Sequence, residues 1–337
     1  MTKPTLEDVA KLAGVSTASI SRALNTPDKV AASTRLRIEQ AIDVLGYTPN
    51  FGGRALASSR TRTVGAVIPS MANAMFASGL QAFQEELAKS GYTLLVATTG
   101  FDPELELVQI KSLVGQGADG LLLIGDMRLE KTWEFMEKRS VAHVVAWCDS
   151  TRDGQLSVGF DNESAAADAT HRALMLGHRR IGVIAGETEH NDRARARRDG
   201  VVRAVREFGE GARITDLLEV PYLLDDGAQA LAGLMARPEI PTVVMCGNDV
   251  LAAGAMMRAR DMGLTLPDDL SFVGFDDIGL ARVVTPALAT VRVPQIEMGR
   301  AAAELLVSRL AGAQVLSSTT FTTEFIHRAS LAAPNAV

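Results

Sequence analysis

The chain has 337 residues, of which 47% are hydrophobic and 22% charged, and its formal net charge is −6. This length exceeds the usual size of one compact core, so two or three structural units are expected. No apolar stretch is long enough to cross a bilayer and no signal sequence follows Met1, so we expect a cytoplasmic protein with no membrane partner. Cys148 and Cys246 lack CxxC spacing and predict free buried thiols rather than a disulfide or a metal site.

The charge is distributed unevenly along the chain. Residues 1–60 contain eight Lys or Arg and five Asp or Glu, a surplus of three positive charges, whereas the remaining residues sum to −9. Phosphate contacts need locally concentrated positive charge, so this asymmetry is typical of a nucleic-acid-binding head on an acidic body. An acidic enzyme with a basic tail has the same composition.

The first sixty residues predict three short helices. Thr5 is a suitable N-cap for a helix that begins near Leu6 and ends at Gly14, the residue type that most readily takes a left-handed conformation. Ser16 is a second N-cap, for a helix over Thr17–Leu24. Two short helices across a tight glycine-containing turn form a helix-turn-helix unit.

A third helix, signalled by Ser33 and Thr34 and ending at Gly46, would close the core with Leu36, Ile38, Ala41, Ile42 and Leu45. The second helix leaves short, polar or basic side chains outside, at Thr17, Ala18, Ser21, Arg22 and Asn25. Such a surface can approach base edges in the major groove, with the arginine pairing to guanine. A small helical bundle with an ordinary solvated face would show the same pattern.

After a linker of low hydrophobicity over residues 50–59, apolar runs alternate with helical patterns. The expected helices are Phe76–Ser90, Leu105–Gly115 and Thr132–Arg139. The expected strands are Val64–Ile68, Thr93–Ala97, Gly120–Ile124 and Ala142–Trp147, then a second series near Ile181–Ala185, Leu217–Val220, Val243–Cys246 and Leu270–Val273. Apolar strands between helices predict parallel α/β sheets, and two similar series predict two lobes with a cleft between them.

The sequence contains no enzyme motif in a suitable structural context. Residues 115–120 fit GxGxxG, but they follow a helix and lead into a strand, so they form a helix end and not a dinucleotide site. The five histidines lack metal-ligand spacing, and there is neither a GxSxG motif nor a P-loop. We therefore expect no enzyme activity, metal or cofactor. The arginines of residues 193–198 are expected to form a solvated helix start, with only Arg197 functional.

Several literal strings closely resemble the LacI/GalR family of transcriptional regulators. They are TLEDVAKLAGVSTASISRALN (5–25), LGYTPN (45–50), LGHRRI (176–181), RRDG (197–200), CGND (246–249), GFDD (274–277) and TPALATV (285–291). The resemblance covers nearly the whole chain. It implies an all-α helix-turn-helix domain at 1–48, a hinge helix or linker at 49–60, and a periplasmic-binding-protein-like effector and dimerisation domain at 61–337. The N-lobe would comprise about 61–160 and 291–318, and the C-lobe about 161–290 and 319–331.

The resemblance also implies how DNA is bound. The base-reading residues would be Thr17, Ala18, Ser21 and Arg22, and the backbone contacts Thr5, Ser16, Asn25, Tyr47 and Asn50. In the minor groove, the hinge would use Arg54 and Leu56, the leucine as a wedge between base pairs. The chain departs from the family at Gly52 and Gly53, which cost a short helix roughly 1 kcal/mol each relative to alanine, so we expect the hinge to fold only on DNA.

For the effector, the resemblance points to Arg197, Asn248 and Asp276 in the C-lobe, where a structural salt bridge is the alternative role of the charged pair. Completing residues in the N-lobe would be Ser70, Asn73, Phe76 and Trp147, where core packing is the alternative role of the aromatics. A guanidinium, an amide and a carboxylate suit polyhydroxylated or anionic ligands. Ser70–Phe76 and residues 158–162 also look somewhat like gluconate-operon repressors.

Taken together, we expect the chain to be a homodimeric regulator that binds a palindromic operator in double-stranded DNA. It would repress carbohydrate genes and respond to a sugar or sugar-acid effector. A cleft enzyme or transport-type binding protein with an incidental helical head is the competing hypothesis, and it predicts no sequence-specific DNA binding.

Overall fold

A computed structural model describes residues 4–48, 60–72, 74–150, 152, 154–313 and 317–335. The chain divides after Thr61 into two compact units. Within the described ranges, no helix has the length and apolar character needed to span a membrane.

The first unit is a three-helix domain formed by α1 (Leu6–Ala13), α2 (Thr17–Asn25) and α3 (Ala32–Leu45), with a short 3₁₀ turn at Pro27–Lys29. Helices α1 and α3 are both followed by a left-handed glycine, as expected. The buried core consists of Val9, Ala10, Ala13, Ile20, Ala23, Ile38 and Ala41. The predicted helix-turn-helix is therefore confirmed.

Helix α3 differs from the expectation at its start. It begins at Ala32, before Ser33 and Thr34, and its N-cap residue Ala31 makes no side-chain hydrogen bond. Neither hydroxyl residue is the cap, because both already lie within the first helical turn. Leu36 was expected in the core but is 56% exposed, since it lies on the outer side of α3.

The second unit begins with β1 (Thr63–Ile68), α4 (Ala74–Lys89), β2 (Thr93–Thr98), α5 (Pro103–Gly115), β3 (Gly120–Ile124), α6 (Glu130–Lys138), β4 (Ala142–Ala146) and β5 (Ser157–Gly159). It continues with α7 (Asn162–Met175), β6 (Arg180–Gly186), α8 (Asp192–Phe208), β7 (Arg213–Val220), α9 (Leu224–Met235), β8 (Val243–Cys246), α10 (Asp249–Asp261) and β9 (Ser271–Asp276). The last elements are α11 (Leu280–Val283), β10 (Ala289–Arg292), α12 (Gln295–Leu310), β11 (Thr319–Thr320) and β12 (Glu324–Ile326). The turn at residues 115–120 joins α5 to β3, as expected.

These strands form two sheets, one in each lobe. The first sheet has the order β11-β5-β4-β3-β1-β2, and all of its strands are parallel. The second has the order β12-β10-β9-β8-β6-β7, and only the β12–β10 pair is antiparallel. The chain passes between the sheets after β5, β10 and β11. The C-lobe segment that was expected to end at residue 290 therefore ends at Arg292, and the N-lobe segment that was expected to end at residue 318 ends at Thr320.

Strand β7 begins at Arg213, four residues before the expected Leu217. It is an edge strand, and Ile214 is the only apolar residue among its first four, so this part of the strand gives no apolar run. Strands β5, β10, β11 and β12 are two to four residues long and none is a wholly apolar run, so they give no pattern in the sequence, whereas the equally short β8 is apolar throughout.

Helices α4 and α12 pack against each other on one side of the first sheet. A Cβ atom added to Gly299 of α12 would lie 2.0 Å from the carbonyl oxygen of Gly79 in α4. A Cβ atom added to Gly79 would lie 2.3 Å from the buried ring of Trp147, which follows β4. Both positions therefore require glycine for close helix contact, and this contact holds α12 in the first lobe.

We expect Gly299→Ala to lower the melting temperature of the chain. The new methyl group meets backbone rather than a flexible side chain, and overpacking of this kind costs about 1–3 kcal/mol. The matched control is Gly115→Ala in α5, where nothing lies within 4 Å of an added Cβ atom. Thermal unfolding followed by circular dichroism checks both variants, and equal stability of the two would contradict the packing argument.

Candidate functional site

Helix α2 of the first unit presents a polar surface. The side chain of Ser16 caps it by accepting a hydrogen bond from the Ser19 amide at 3.2 Å. Thr17, Ala18 and Arg22 are exposed, Ser21 is half-buried, and the opposite face is buried in the core. The four residues expected to read bases thus share one side of a capped helix.

This surface suits a polyanion. The sequence of α2, TASISRALN, contains Arg22 and no carboxylate, and the N-terminal end of a helix carries partial positive charge. Its side chains are short, so the backbone can come close to a partner. Backbone amides at a helix start bind phosphates directly.

The residues expected at the DNA backbone are placed differently from one another. The Thr5 amide and the Thr5 hydroxyl donate to the Asp8 carboxylate at 2.8 Å and 2.7 Å, and these two bonds hold the pKa of Asp8 below its usual value. The Thr5 hydroxyl also accepts from the Asp8 amide at 3.3 Å. Tyr47 is half-buried against the core of the domain. The side chain of Asn25 and the residues Asn50, Arg54 and Leu56 lie outside the described part of the chain, as does the Gly52-Gly53 pair.

In the second unit, loops at the carboxyl ends of the strands meet between the two lobes. They enclose an inner cavity of about 10 Å³, room for about one water molecule. The residues that line this inner cavity are Met75, Phe76, Phe101, Asn191, Arg193, Arg197, Tyr222, Asn248 and Asp276. Parallel sheets place ligands at this edge, and four of the expected effector residues meet there: Phe76, Arg197, Asn248 and Asp276.

Arg197 is the most connected side chain of the inner cavity. Its Nε donates to Asn162 Oδ1 at 3.0 Å, and one terminal nitrogen donates to the Gly247 carbonyl at 2.8 Å and lies 3.5 Å from Asp276 Oδ1. Its guanidinium lies 4.3 Å from the ring centroid of Phe275. Because Asn162 Nδ2 donates to the Trp147 carbonyl at 3.1 Å, this network joins the second lobe to the first.

Two buried carboxyl groups differ in their ionisation. Burial raises the pKa of Asp276 to about 6, against the opposing effects of Arg197 and Arg193. Burial, with a smaller contribution from the Asp276 carboxylate, raises the pKa of Asp249 to about 8. Asp249 accepts hydrogen bonds from the Thr290 hydroxyl at 2.5 Å and the Ile278 amide at 2.8 Å, so it supports the loop after β9 without lining the cavity.

The remaining expected residues are distributed as follows. Asn248 caps α10, accepting from the Leu251 amide at 2.9 Å. Trp147 does not line the inner cavity; its ring lies in the core behind Phe76, with centroids 5.9 Å apart. Ser70 follows β1, accepts from the Ala72 amide at 3.1 Å and is also absent from the lining, and Asn73 lies outside the described residues.

The structure also corrects the interpretation of the arginine-rich run. Arg193 is only 5% exposed and lines the inner cavity, paired with Asp192 at 2.9 Å. Arg193 and Arg197 are four residues apart on α8, so helical spacing alone places both on one face. That spacing was the signal we missed.

Five other residues of the site were not expected: Met75, Phe101, Asn162, Asn191 and Tyr222. Asn191 caps α8 through the Ala194 amide at 3.2 Å. The Asp126 amide of the first lobe donates to Asp192 Oδ2 at 2.6 Å, which adds a second bond between the lobes. These residues come from distant parts of the chain, so no local pattern in the sequence marks them as one site.

Other chemistry finds little support in the described part of the chain. Both cysteines are buried and free, as expected, and burial raises the pKa of each thiol, so neither is a ready nucleophile. No group of three or more His, Cys, Asp or Glu side chains in the described ranges could hold a metal ion.

Comparison with protein families gives two matches. The model of bacterial regulatory proteins of the lacI family matches residues 5–50, and that of the periplasmic binding protein-like domain matches residues 170–331. Among characterised relatives, the HTH-type transcriptional repressor CytR of Escherichia coli (strain K12) is 34% identical, covering 94% of this chain and 93% of its own. The HTH-type transcriptional regulator GntR of the same strain is 30% identical, covering 93% and 94%.

Solved structures of transcriptional regulators are also similar to this chain. A transcriptional regulator CelR–cellobiose complex has a TM-score of 0.70 at 29% identity, covering 97% of this chain and 99% of its own. The lac repressor dimer bound to operator has a TM-score of 0.86 at 24% identity, covering 98% and 100%, a likeness of fold. The likeness to gluconate-operon repressors stays a prediction, since CytR is slightly more similar than GntR.

The Asp249 carboxyl predicts a pH effect on stability. A carboxyl whose pKa is raised by folding stabilises the chain fully below its unfolded value, and this contribution is lost as pH rises through about 8. In Asp249→Asn the amide stays neutral; its oxygen can accept from Ile278 and its nitrogen can donate to Thr290. The melting temperature of the variant minus that of the wild type should therefore increase from about pH 5 to about pH 8.

The control is Asp261→Asn, because Asp261 is exposed at the end of the same helix. Its difference from the wild type should be constant over this range. A constant difference for Asp249→Asn as well would mean that Asp249 ionises normally.

Proposed function

The chain belongs to the LacI family of bacterial regulatory proteins, and from that premise we propose that it is a homodimeric repressor of carbohydrate genes, released from its operator by a sugar or sugar-acid effector. Its DNA-binding head is the first unit, and its effector-binding domain is the second. Its proposed partners are a palindromic operator, a sugar or sugar-acid effector and a second copy of the chain.

The observation that carries the DNA-binding part is the surface of α2. Thr17, Ala18 and Arg22 are exposed on a helix whose start is capped by Ser16 and whose back is fixed in a buried core. Rigid presentation of short side chains allows direct reading of base edges in the major groove. Each helix-turn-helix domain binds one half-site, so a symmetric dimer matches the two half-sites of a palindromic operator.

The inner cavity supports the effector part. It combines two guanidinium groups, two amides and one carboxylate with aromatic side chains, and such groups hydrogen-bond to hydroxyls while the rings pack on apolar faces. The similar CelR structure is a complex with cellobiose, which favours a sugar in the corresponding cleft.

The proposed mechanism is linkage between the two sites. An effector bound between the lobes would change their relative angle, and the two N-lobes of the dimer would then alter the spacing of the hinges. A coupling free energy of roughly 1–3 kcal/mol is typical of such systems. The hinge contacts proposed for Arg54 and Leu56 would transmit the change to the minor groove.

We expect Arg22→Ala to weaken specific operator binding about 10- to 100-fold, because a bidentate arginine contact to guanine contributes about 1–3 kcal/mol. Gel shifts against palindromes upstream of the protein's own gene, with unrelated DNA as competitor, measure the effect. Arg37→Ala is the matched control, since Arg37 is exposed on α3 and its loss changes the net charge equally. Equal weakening by both variants would indicate that Arg22 contributes charge alone.

We expect Asp276→Asn to abolish the effector response while operator affinity stays close to that of the wild type. Asp276 is 2% exposed and adopts a backbone φ of 106°, a region that asparagine tolerates, so the fold should be retained. Operator binding with and without effector gives the result, and Asp268→Asn, an exposed position, is the control. Loss of operator binding together with the response would assign Asp276 a structural role.

A further inference from the structure

The cleft continues beyond the inner cavity into a second, larger space. This outer chamber has a volume of about 680 Å³, within the range of sites for small molecules, roughly 300–1,000 Å³. It is lined by Gly100, Phe101, Asp102, Pro103, Glu187, Thr188, Glu189, His190, Asn191, Glu219, Pro221 and Tyr222. The sequence motifs do not contribute to this lining, and neither do the described effector residues that were expected from the sequence.

An aromatic pair marks the boundary between the two spaces. Phe101 follows β2 of the first lobe and Tyr222 follows β7 of the second, and their ring centroids are 6.1 Å apart. Together with Asn191 they line both the inner cavity and the outer chamber. At this separation the two rings contact each other across the boundary, so a ligand that occupies both spaces must part them, and their faces would then pack on its flat sugar or base rings.

The charges of the two spaces exclude an anion. Four carboxylates line the outer chamber, those of Asp102, Glu187, Glu189 and Glu219, and its described lining includes no lysine or arginine. Glu219 is paired with Arg198 at 2.8 Å, so the excess negative charge rests on the other three. In the inner cavity each arginine already has a carboxylate partner, Asp192 at 2.9 Å from Arg193 and Asp276 at 3.5 Å from Arg197. A negatively charged ligand would be repelled at the entrance and would find no unpaired cation inside.

We propose that the effector is an uncharged two-ring glycoside, with one ring in the inner cavity and the second in the outer chamber, beyond Phe101 and Tyr222. Disaccharides and nucleosides share this chemistry. The proposal rests on the proposed function and narrows it, because single-ring sugars fill one space only and sugar acids or phosphates carry the excluded charge. The lobes must separate slightly to admit the first ring, since the inner cavity holds about one water molecule.

The test is a thermal-shift and calorimetric screen of the full-length protein with matched probes. The panel contains neutral disaccharides including cellobiose, the four common ribonucleosides, their single-ring parts, and the corresponding aldobionic acids and nucleoside 5′-phosphates. We expect at least one neutral two-ring probe to bind, about tenfold or more tighter than its single-ring part and than its anionic form. Whether a disaccharide or a nucleoside of the panel binds decides which of these two compound classes supplies the effector.

Two variants test whether the second ring of the ligand binds in the outer chamber. Phe101→Asn removes the aromatic ring but tolerates the left-handed backbone at this position, where φ is 66°. Because Phe101 also lines the inner cavity, the variant should weaken the single-ring part as well, but the loss of affinity should be about tenfold larger for the two-ring probe. Glu187→Arg combined with Glu189→Arg reverses two exposed charges and should bring the affinity of the anionic form close to that of the neutral probe.

The proposal is overturned if no neutral two-ring probe binds, if a single-ring sugar or sugar acid binds as tightly as the two-ring probe, or if Phe101→Asn weakens both equally. Operator binding measured in parallel separates this failure from failure of the proposed function. A chain that binds its operator and responds to a monosaccharide or a sugar acid retains the proposed function and loses only the two-ring effector.

Discussion

The buried guanidinium of Arg197 sets the geometry of the effector-binding domain. A charged group removed from water is stable only when its donors are paired, and here the partners come from three distant parts of the chain. Asn162 lies where the chain first enters the second lobe, Gly247 follows β8, and Asp276 ends β9. One side chain therefore fixes three distant segments of the chain and, through Asn162, is linked to the Trp147 carbonyl of the other lobe.

Backbone strain accompanies this arrangement. Phe101, Trp147 and Asp276 all follow or end a strand at the cleft, and their φ angles of 66°, 65° and 106° lie in the region that non-glycine residues avoid. Such conformations persist where surrounding structure holds them, and they concentrate at ligand sites. The cleft thus holds these three residues in conformations that only their surroundings stabilise, with Asp276 paired to Arg197.

Much of the fold could be predicted from the sequence because its signals are local. The caps at Thr5 and Ser16, the left-handed Gly14 and the apolar run of β3 each depend on a few neighbouring residues. The cleft residues Phe101, Asn191 and Tyr222 could not be found in this way, since three separate loops bring them together. Trp147 shows the opposite limit: its sequence position next to a strand end was correct, but only packing against Gly79 shows that its ring belongs to the core.

The glycine contact between α4 and α12 has a consequence for synthesis on the ribosome. The head and its helices involve only neighbouring residues, so they can fold as soon as they emerge, whereas the first lobe must wait for α12 and β11 near the end of the chain. A DNA-binding domain therefore exists before the lobe that controls it is complete. Nascent chains that stall between the two stages would present a folded head without a complete sensor.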